Sequence, residues 1–263
     1  MTGQMRVWVN GKPRDLIAGD FAMVPGYNNH SYQFIAQETE FMGLIQPAGF
    51  DDFFTNISSP WTPKYNVPFP PDQPKPFPGA TFAAVAQSYD VQRINASIST
   101  APERAWGEPT GNQDWHESNG TLPSDAKTPY FLPNGAGPHH WLESAGAVIS
   151  PVATAVQTAG NFTIAQISLR KSDRDSLGNQ THWVSANHQF FYGMRGEVTV
   201  GVAAEQIRII AGDSLFVPAG TNVTISSDVN YSKFLFCSGG PNGIDSQMIQ
   251  AGKSWGYSTP PAH

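Results

Sequence analysis

An all-β chain of two barrels, the first of them incomplete, is what this sequence predicts, and three observations carry that reading. A strand-and-turn motif occurs twice, as Gly19-Asp20-Phe21-Ala22-Met23-Val24-Pro25-Gly26 and as Gly212-Asp213-Ser214-Leu215-Phe216-Val217-Pro218-Ala219-Gly220, about 190 residues apart. Gly 25 and Pro 22 against 14% charged residues suit many short strands joined by turns. No long stretch sustains the period of an amphipathic helix.

In each copy Gly-Asp turns the chain into a strand, alternating apolar residues face a barrel interior, and Pro fixes φ at the next turn. Residues 1–60 therefore read as the C-terminal half of a first barrel, ending in the aromatic cluster Phe50 to Phe54. Residues 61–128 form the connection between barrels. It begins with a Pro-rich, polyproline-like strap over 61–80 and continues with a short helix over 80–92, where Phe82, Val85, Ala86 and Tyr89 share a face. A loop follows, in which His116 is expected to be exposed. Residues 129–255, from Tyr130 through Lys253, hold a full set of strand and turn signals for a second barrel, and 256–263 are a tail.

The motif Gly-x5-Pro-x-Gly-x2-His resembles the second signature of cupins, and its two copies resemble a bicupin, a pair of jelly-roll barrels. The wording of "RDLIAGDFAMVPGYNNHSYQF", "GLIQPAGFDDFF" and "YFLPNGAGP…SPVATAVQTAGNFTIAQISL" is similar to the fungal quercetin 2,3-dioxygenase group, and the likeness covers most of the chain outside roughly 60–128. In the first copy Pro25-Gly26 is followed by Tyr27 where the motif has Gly, yet the His falls in place as His30.

The resemblance implies a metal centre in the first barrel, with His30 as one ligand. Copper or another divalent transition metal is the implied cofactor, because imidazole and carboxylate donors suit such ions with positions open for substrate and oxygen. Phe21, Met23 and Phe34 are the candidates for an apolar substrate pocket, and no catalytic residue is assigned. The implied chemistry is oxidative cleavage of a flavonol's heterocyclic ring by O2 with release of carbon monoxide, a ligand Glu assisting deprotonation of the substrate hydroxyl. Gly3 stands where the last Gly of the first cupin signature belongs, so that signature's two His and Glu are expected upstream of Met1. The chain as given then holds one ligand of four and is expected to retain copper poorly, which leaves open a second class, a metal-free binding or storage-type cupin.

In the second barrel, the first cupin signature, Gly-x5-His-x-His-x3,4-Glu-x6-Gly, counted back from Gly196 with the four-residue gap puts Gln189 at the Glu position and Val184 and His182 at the two His positions, and counting forward from Gly220 puts Val223 at the third, so this barrel is expected to be metal-free and structural. His182 and His188 are expected to pack or face solvent. His139-His140 are neighbours that would point to opposite faces of a strand, so structural or substrate-facing roles are expected, with Trp141 on a surface between barrels.

Net charge −6 disfavours a nucleic-acid or anionic-membrane partner. A small aromatic substrate with O2 is the expected partner, with a homodimer as a candidate assembly. The single cysteine, Cys237, lies in an apolar strand and is expected to be a buried, inert thiol. Eight Asn-x-Ser/Thr sequons begin at Asn29, Asn56, Asn95, Asn119, Asn161, Asn179, Asn222 and Asn230, against about two by chance. They predict a secreted, glycosylated protein. The opening "MTGQMRVWVNGK" has no apolar h-region, so a leader too is expected upstream. The Asn29 sequon directly precedes His30 and is expected to be unused.

Overall fold

The computed structural model describes residues 2–58, 79–89, 91, 121–172 and 182–261. The strap over 61–78 and His116 lie outside them. The chain divides into residues 1–40 with 105–263 as one compact unit and residues 41–104 as another.

The first unit begins with β1 (Gln4–Val9), β2 (Lys12–Ile17), β3 (Phe21–Met23) and β4 (His30–Phe34). Strand β1 is central and antiparallel to both neighbours: Gln4 faces Ile17 and Val9 faces Lys12 on β2, while Met5 faces Phe34 and Val9 faces His30 on β4. Asn10 (φ 51°) and Gly11 (φ 80°) close the β1–β2 hairpin in the left-handed conformation that a tight Asn-Gly turn requires.

The second barrel runs from β5 (Tyr130–Leu132), β6 (His139–Leu142), β7 (Ala147–Ala153) and β8 (Thr163–Arg170) through β9 (Trp183–Val184), β10 (Gln189–Arg195), β11 (Glu197–Val202) and β12 (Glu205–Ile210). It ends with β13 (Ser214–Val217), β14 (Asn222–Ser226), β15 (Tyr231–Ser238), helix α3 (Ile244–Ala251) and β16 (Lys253–Trp255). A seven-stranded sheet ordered β13-β10-β15-β8-β7-β6-β16 and a four-stranded sheet ordered β12-β11-β14-β9 enclose one core. Ile149, Ile167, Phe191, Phe234 and Phe236 enter it from the first sheet, and Trp183, Val198, Val200, Ile209, Val223 and Ile225 from the second. This is the two-sheet packing of a jelly roll.

The duplicated motif is a duplicated structure, with a constant offset of 193 residues. Glu197 faces Ile210, Val202 faces Glu205, and Val202 faces Val223, repeating Gln4–Ile17, Val9–Lys12 and Val9–His30. The turn glycines agree as well: Gly19 and Gly212 have φ of 94° and 95°. After each, an aspartate carboxylate accepts the backbone N–H three residues back, Ile17 N to Asp20 Oδ2 at 2.9 Å and Ile210 N to Asp213 Oδ2 at 3.1 Å.

Strand β3 joins this half-barrel to the second barrel by pairing with β5, Phe21 opposite Leu132 and Met23 opposite Tyr130. The Asp20 Oδ1 atom accepts the Asn134 N–H at 2.9 Å, and Gln166 Nε2 donates to Gly19 O at 3.2 Å. A side chain on Gly19 would meet the Asn134 amide at 2.5 Å, so this approach requires glycine. The single thiol, Cys237, is buried at this junction as expected, and burial together with nearby Asp245 pushes its pKa up to about 12.

The second unit contains α1 (Asp51–Ile57) and α2 (Gly79–Ala86), the latter continued by a 3-10 turn over Gln87–Tyr89. The α2 helix and its 3-10 turn lie in the stretch read as a short helix, α1 had no counterpart in that reading, and aromatic rings hold the elements: Phe53 packs against Phe50 at 5.2 Å, Phe82 at 5.7 Å and Tyr89 at 5.8 Å.

Tyr27 marks the one departure in the first copy. It has φ of 67° where Gly220 has 77°, and its side chain is fully exposed. A tyrosine in this conformation is strained, with no contact to lose. Tyr27→Gly should therefore stabilise the fold by roughly 1 kcal/mol in denaturant titration.

Candidate active site

The inner face of the first half-barrel follows from the register of β1. Residues opposite Val9, Val7 and Met5 share their face, and on β4 these are His30, Tyr32 and Phe34. Val7 and Val9 are buried with Leu16 and pack against Met5, Ala22, Val24 and Phe131, making an apolar floor. Arg14, opposite Val7, is buried with its guanidinium 6.0 Å from the Phe131 ring. On the opposite face Arg6 pairs with Asp15 through Nε–Oδ1 at 2.5 Å and Nη2–Oδ2 at 2.9 Å.

His30 is exposed, with Nδ1 3.2 Å from Asn28 O. A carbonyl only accepts, so this contact needs the proton on Nδ1 and leaves the Nε2 lone pair available in the neutral ring. The turn that delivers it is tied down: Asn28 Nδ2 donates to Pro25 O at 3.1 Å, Asn10 Nδ2 donates to Asn28 Oδ1 at 2.8 Å, and Asn10 N donates to Asn29 O at 2.7 Å.

Of the expected pocket residues, the structure brings Phe34 onto the face of His30 and does not bring Phe21 and Met23 there. Phe34 lies 5.6 Å from Tyr32 with the rings inclined at 60°, both about half exposed. Phe21 and Met23 pack instead among Tyr130, Leu132, Val152, Ala153, Ile164 and Cys237. The alternate residues Ala22 and Val24 take the inward positions. Tyr32 is the residue the sequence reading passed over, although the alternation His30-x-Tyr32-x-Phe34 carries the signal.

The second barrel corrects one assignment. Gln189 is buried as a former ligand position should be, but the inward residues before it are Trp183 and Ser185, whereas His182 and Val184 face solvent. The loop to Gln189 is one residue shorter than assumed, which reverses the faces of both positions. Gln189 Nε2 donates to Ser185 Oγ at 2.8 Å and to Asn187 O at 2.6 Å. Trp183 stands opposite Val223 and fills the interior.

Trp183, Ser185, Gln189 and Val223 offer neither imidazole nor carboxylate, so these four positions do not fit a metal. In the first barrel His30 is one imidazole, and among the described residues no three His, Cys, Asp or Glu side chains converge. The described residues therefore do not by themselves make a chelating set.

His139 and His188 have structural partners. His139 Nδ1 lies 2.8 Å from Ser150 Oγ and its Nε2 lies 3.2 Å from Gly135 O. Burial lowers the pKa of both His139 and His140. His188 is exposed, accepts the Ala219 N–H at Nδ1 and packs on Phe216 at 5.3 Å. Trp141 is buried between Trp255 at 6.1 Å and the Arg170 guanidinium at 5.4 Å. The corrected faces predict that Trp183→Ala destabilises the fold by about 3–5 kcal/mol while His182→Ala stays within about 0.5 kcal/mol, both read by thermal or denaturant unfolding.

Comparison with known proteins agrees with this architecture. The EutQ-like cupin domain family matches residues 178–234. Quercetin 2,3-dioxygenase of Aspergillus japonicus is 29% identical over 274 residues, covering 99% of this chain and 77% of that protein. Quercetin 2,3-dioxygenase of Bacillus subtilis is 23% identical over 235 residues, covering 89% of this chain and 64% of that protein. Among solved structures, an RmlC-like cupin from Shewanella frigidimarina aligns with a TM-score of 0.32 and 16% identity over 39% of this chain and 83% of its own. With its 193-residue structural repeat the chain has the cupin fold, and over nearly its whole length it is similar to quercetin 2,3-dioxygenases.

Proposed function

We propose that the chain carries the substrate-binding face of a flavonol-cleaving dioxygenase, using O2 and a divalent transition metal such as copper, with His30 as the imidazole this chain offers to the ion. One observation supports it above others: the repeat sets His30 at the inward position that Val223 fills in the second barrel, with its Nε2 lone pair available. A planar aromatic ligand has the Tyr32 and Phe34 rings to lie against and the Val7–Val9 floor to exclude water. Export belongs to the same proposal. Five sequons fall wholly within the described residues, at Asn29, Asn56, Asn161, Asn222 and Asn230, and each of these asparagines is exposed.

A second reading, flavonol binding without turnover, is favoured by the single imidazole that the described residues place on this face. One experiment separates the two: the purified chain and its His30→Ala variant are mixed with quercetin in air, with and without copper, following fluorescence quenching for binding and loss of the flavonol absorbance for turnover. The dioxygenase reading expects both proteins to bind quercetin, and copper-dependent consumption to fall by more than about tenfold in the variant. Binding with no consumption at any copper concentration selects the second reading, and absence of binding rejects both.

A further inference from the structure

One end of the second barrel is closed by α3 over a buried polar row. Thr163, Ser238 and Gln189 are cross-strand neighbours on β8, β15 and β10, and all three are buried. The first turn of α3 sits against them: Ile244 N lies 3.5 Å from Gln189 Oε1, and Ile244 and Met248 are completely buried. Asp245 enters with these two. It is 1% exposed, and its Oδ1 has no hydrogen-bond partner. A side chain on Gly243 would meet Asp245 Oδ1 and Ser238 Cβ, each at 2.4 Å, so the carboxyl is tightly enclosed.

No described element packed against α3 supplies Asp245 with a cation: β10, which brings Gln189, carries Tyr192 and Arg195 toward its other end, and Lys253 follows the far end of the helix. Strand β6 brings His139 and His140, whose pKa values burial lowers. Strand β7 carries no ionisable residue. On β8 only Arg170 is charged, at the end opposite Thr163. Strand β15 brings Cys237, a neutral thiol, while Tyr231 and Lys233 lie toward its other end, Lys233 donating to Asn134 Oδ1 at 3.2 Å. The helix itself holds no second charge.

We propose that α3 is a pH-gated plug of the second barrel: with the Asp245 carboxyl protonated the helix seals the polar row, and ionisation of that carboxyl loosens it. An ionised carboxylate without a countercharge is costly in such a setting, whereas the protonated form supplies a donor to the row. Burial raises the pKa to about 6, against 3.8 for an ordinary aspartate, with backbone donors of its own turn offsetting part of the rise. The closed helix thus binds the proton more tightly than the open one. Closure is most favourable below pH 3.8, weakens as pH rises toward about 6, and changes no further above it. Protonation of His139 and His140 acts in the opposite sense, loosening at acid pH.

Hydrogen exchange of the 244–251 amides, expressed as protection factors at pH 5 and pH 8, tests the plug. The opening constant of the native chain should rise by about tenfold at pH 8, and Asp245→Asn should abolish that step. Equal protection at both pH values, or a variant that keeps the native pH step, would overturn the proposal. Should the variant fail to fold, carbon NMR titration of the Asp245 carboxyl in the native chain decides. A midpoint well above 3.8 is expected, and one at or below 3.8 refutes the plug.

Discussion

The turn made by a left-handed glycine and an aspartate that accepts a hydrogen bond from three residues back underlies both halves of the molecule. Without a Cβ, Gly19 and Gly212 adopt φ near 95° at little cost, and Asp20 and Asp213 then hold the reversal by capturing the amides of Ile17 and Ile210. The exit of β2 and β12 is fixed by this turn, which in turn fixes where the next strand starts. His30 and Val223 therefore arrive at the same place in their ladders, opposite Val9 and Val202. In the first copy the turn does more, because Asp20 Oδ1 also holds Asn134 and so ties the half-barrel to its neighbour.

From that common frame the two copies diverge in side-chain chemistry as well as in the pairing of β3 with β5 where β13 pairs with β10. The second puts Trp183 and Val223 face to face and closes its interior with Phe191, Phe234 and Phe236, so its inward positions serve packing. The first keeps an imidazole and two half-exposed aromatic rings on its inward face. A filled barrel beside a half-barrel that presents exposed aromatic rings fits the proposed division between support and recognition.

Much of this was legible in the sequence where a residue type has one physical use. The repeated Gly-Asp and Val-Pro elements, the place of His30 and the buried Cys237 could be read because left-handed turns and apolar strands leave plain marks. Faces were harder. Phe21-Ala22-Met23-Val24 is apolar at every position because both sides of β3 are covered, so no alternation shows which residues point inward. The His182 and Val184 assignment failed for a related reason: β9 has only two residues, and a single residue of loop length reverses its faces. Asp245 resembles any acidic residue in a helix's first turn, and only the surrounding tertiary structure reveals that it is buried.

The central claim, that ligand recognition belongs to the His30–Tyr32–Phe34 face of the first half-barrel, is most directly tested by isotope-filtered nuclear Overhauser measurements on the chain mixed with quercetin. Contacts from the flavonol protons to the Tyr32 and Phe34 rings and to the Val7 and Val9 methyls are predicted. Contacts confined to Trp255 and Tyr257, or to the exposed rim around Phe216 and His188, would contradict the account.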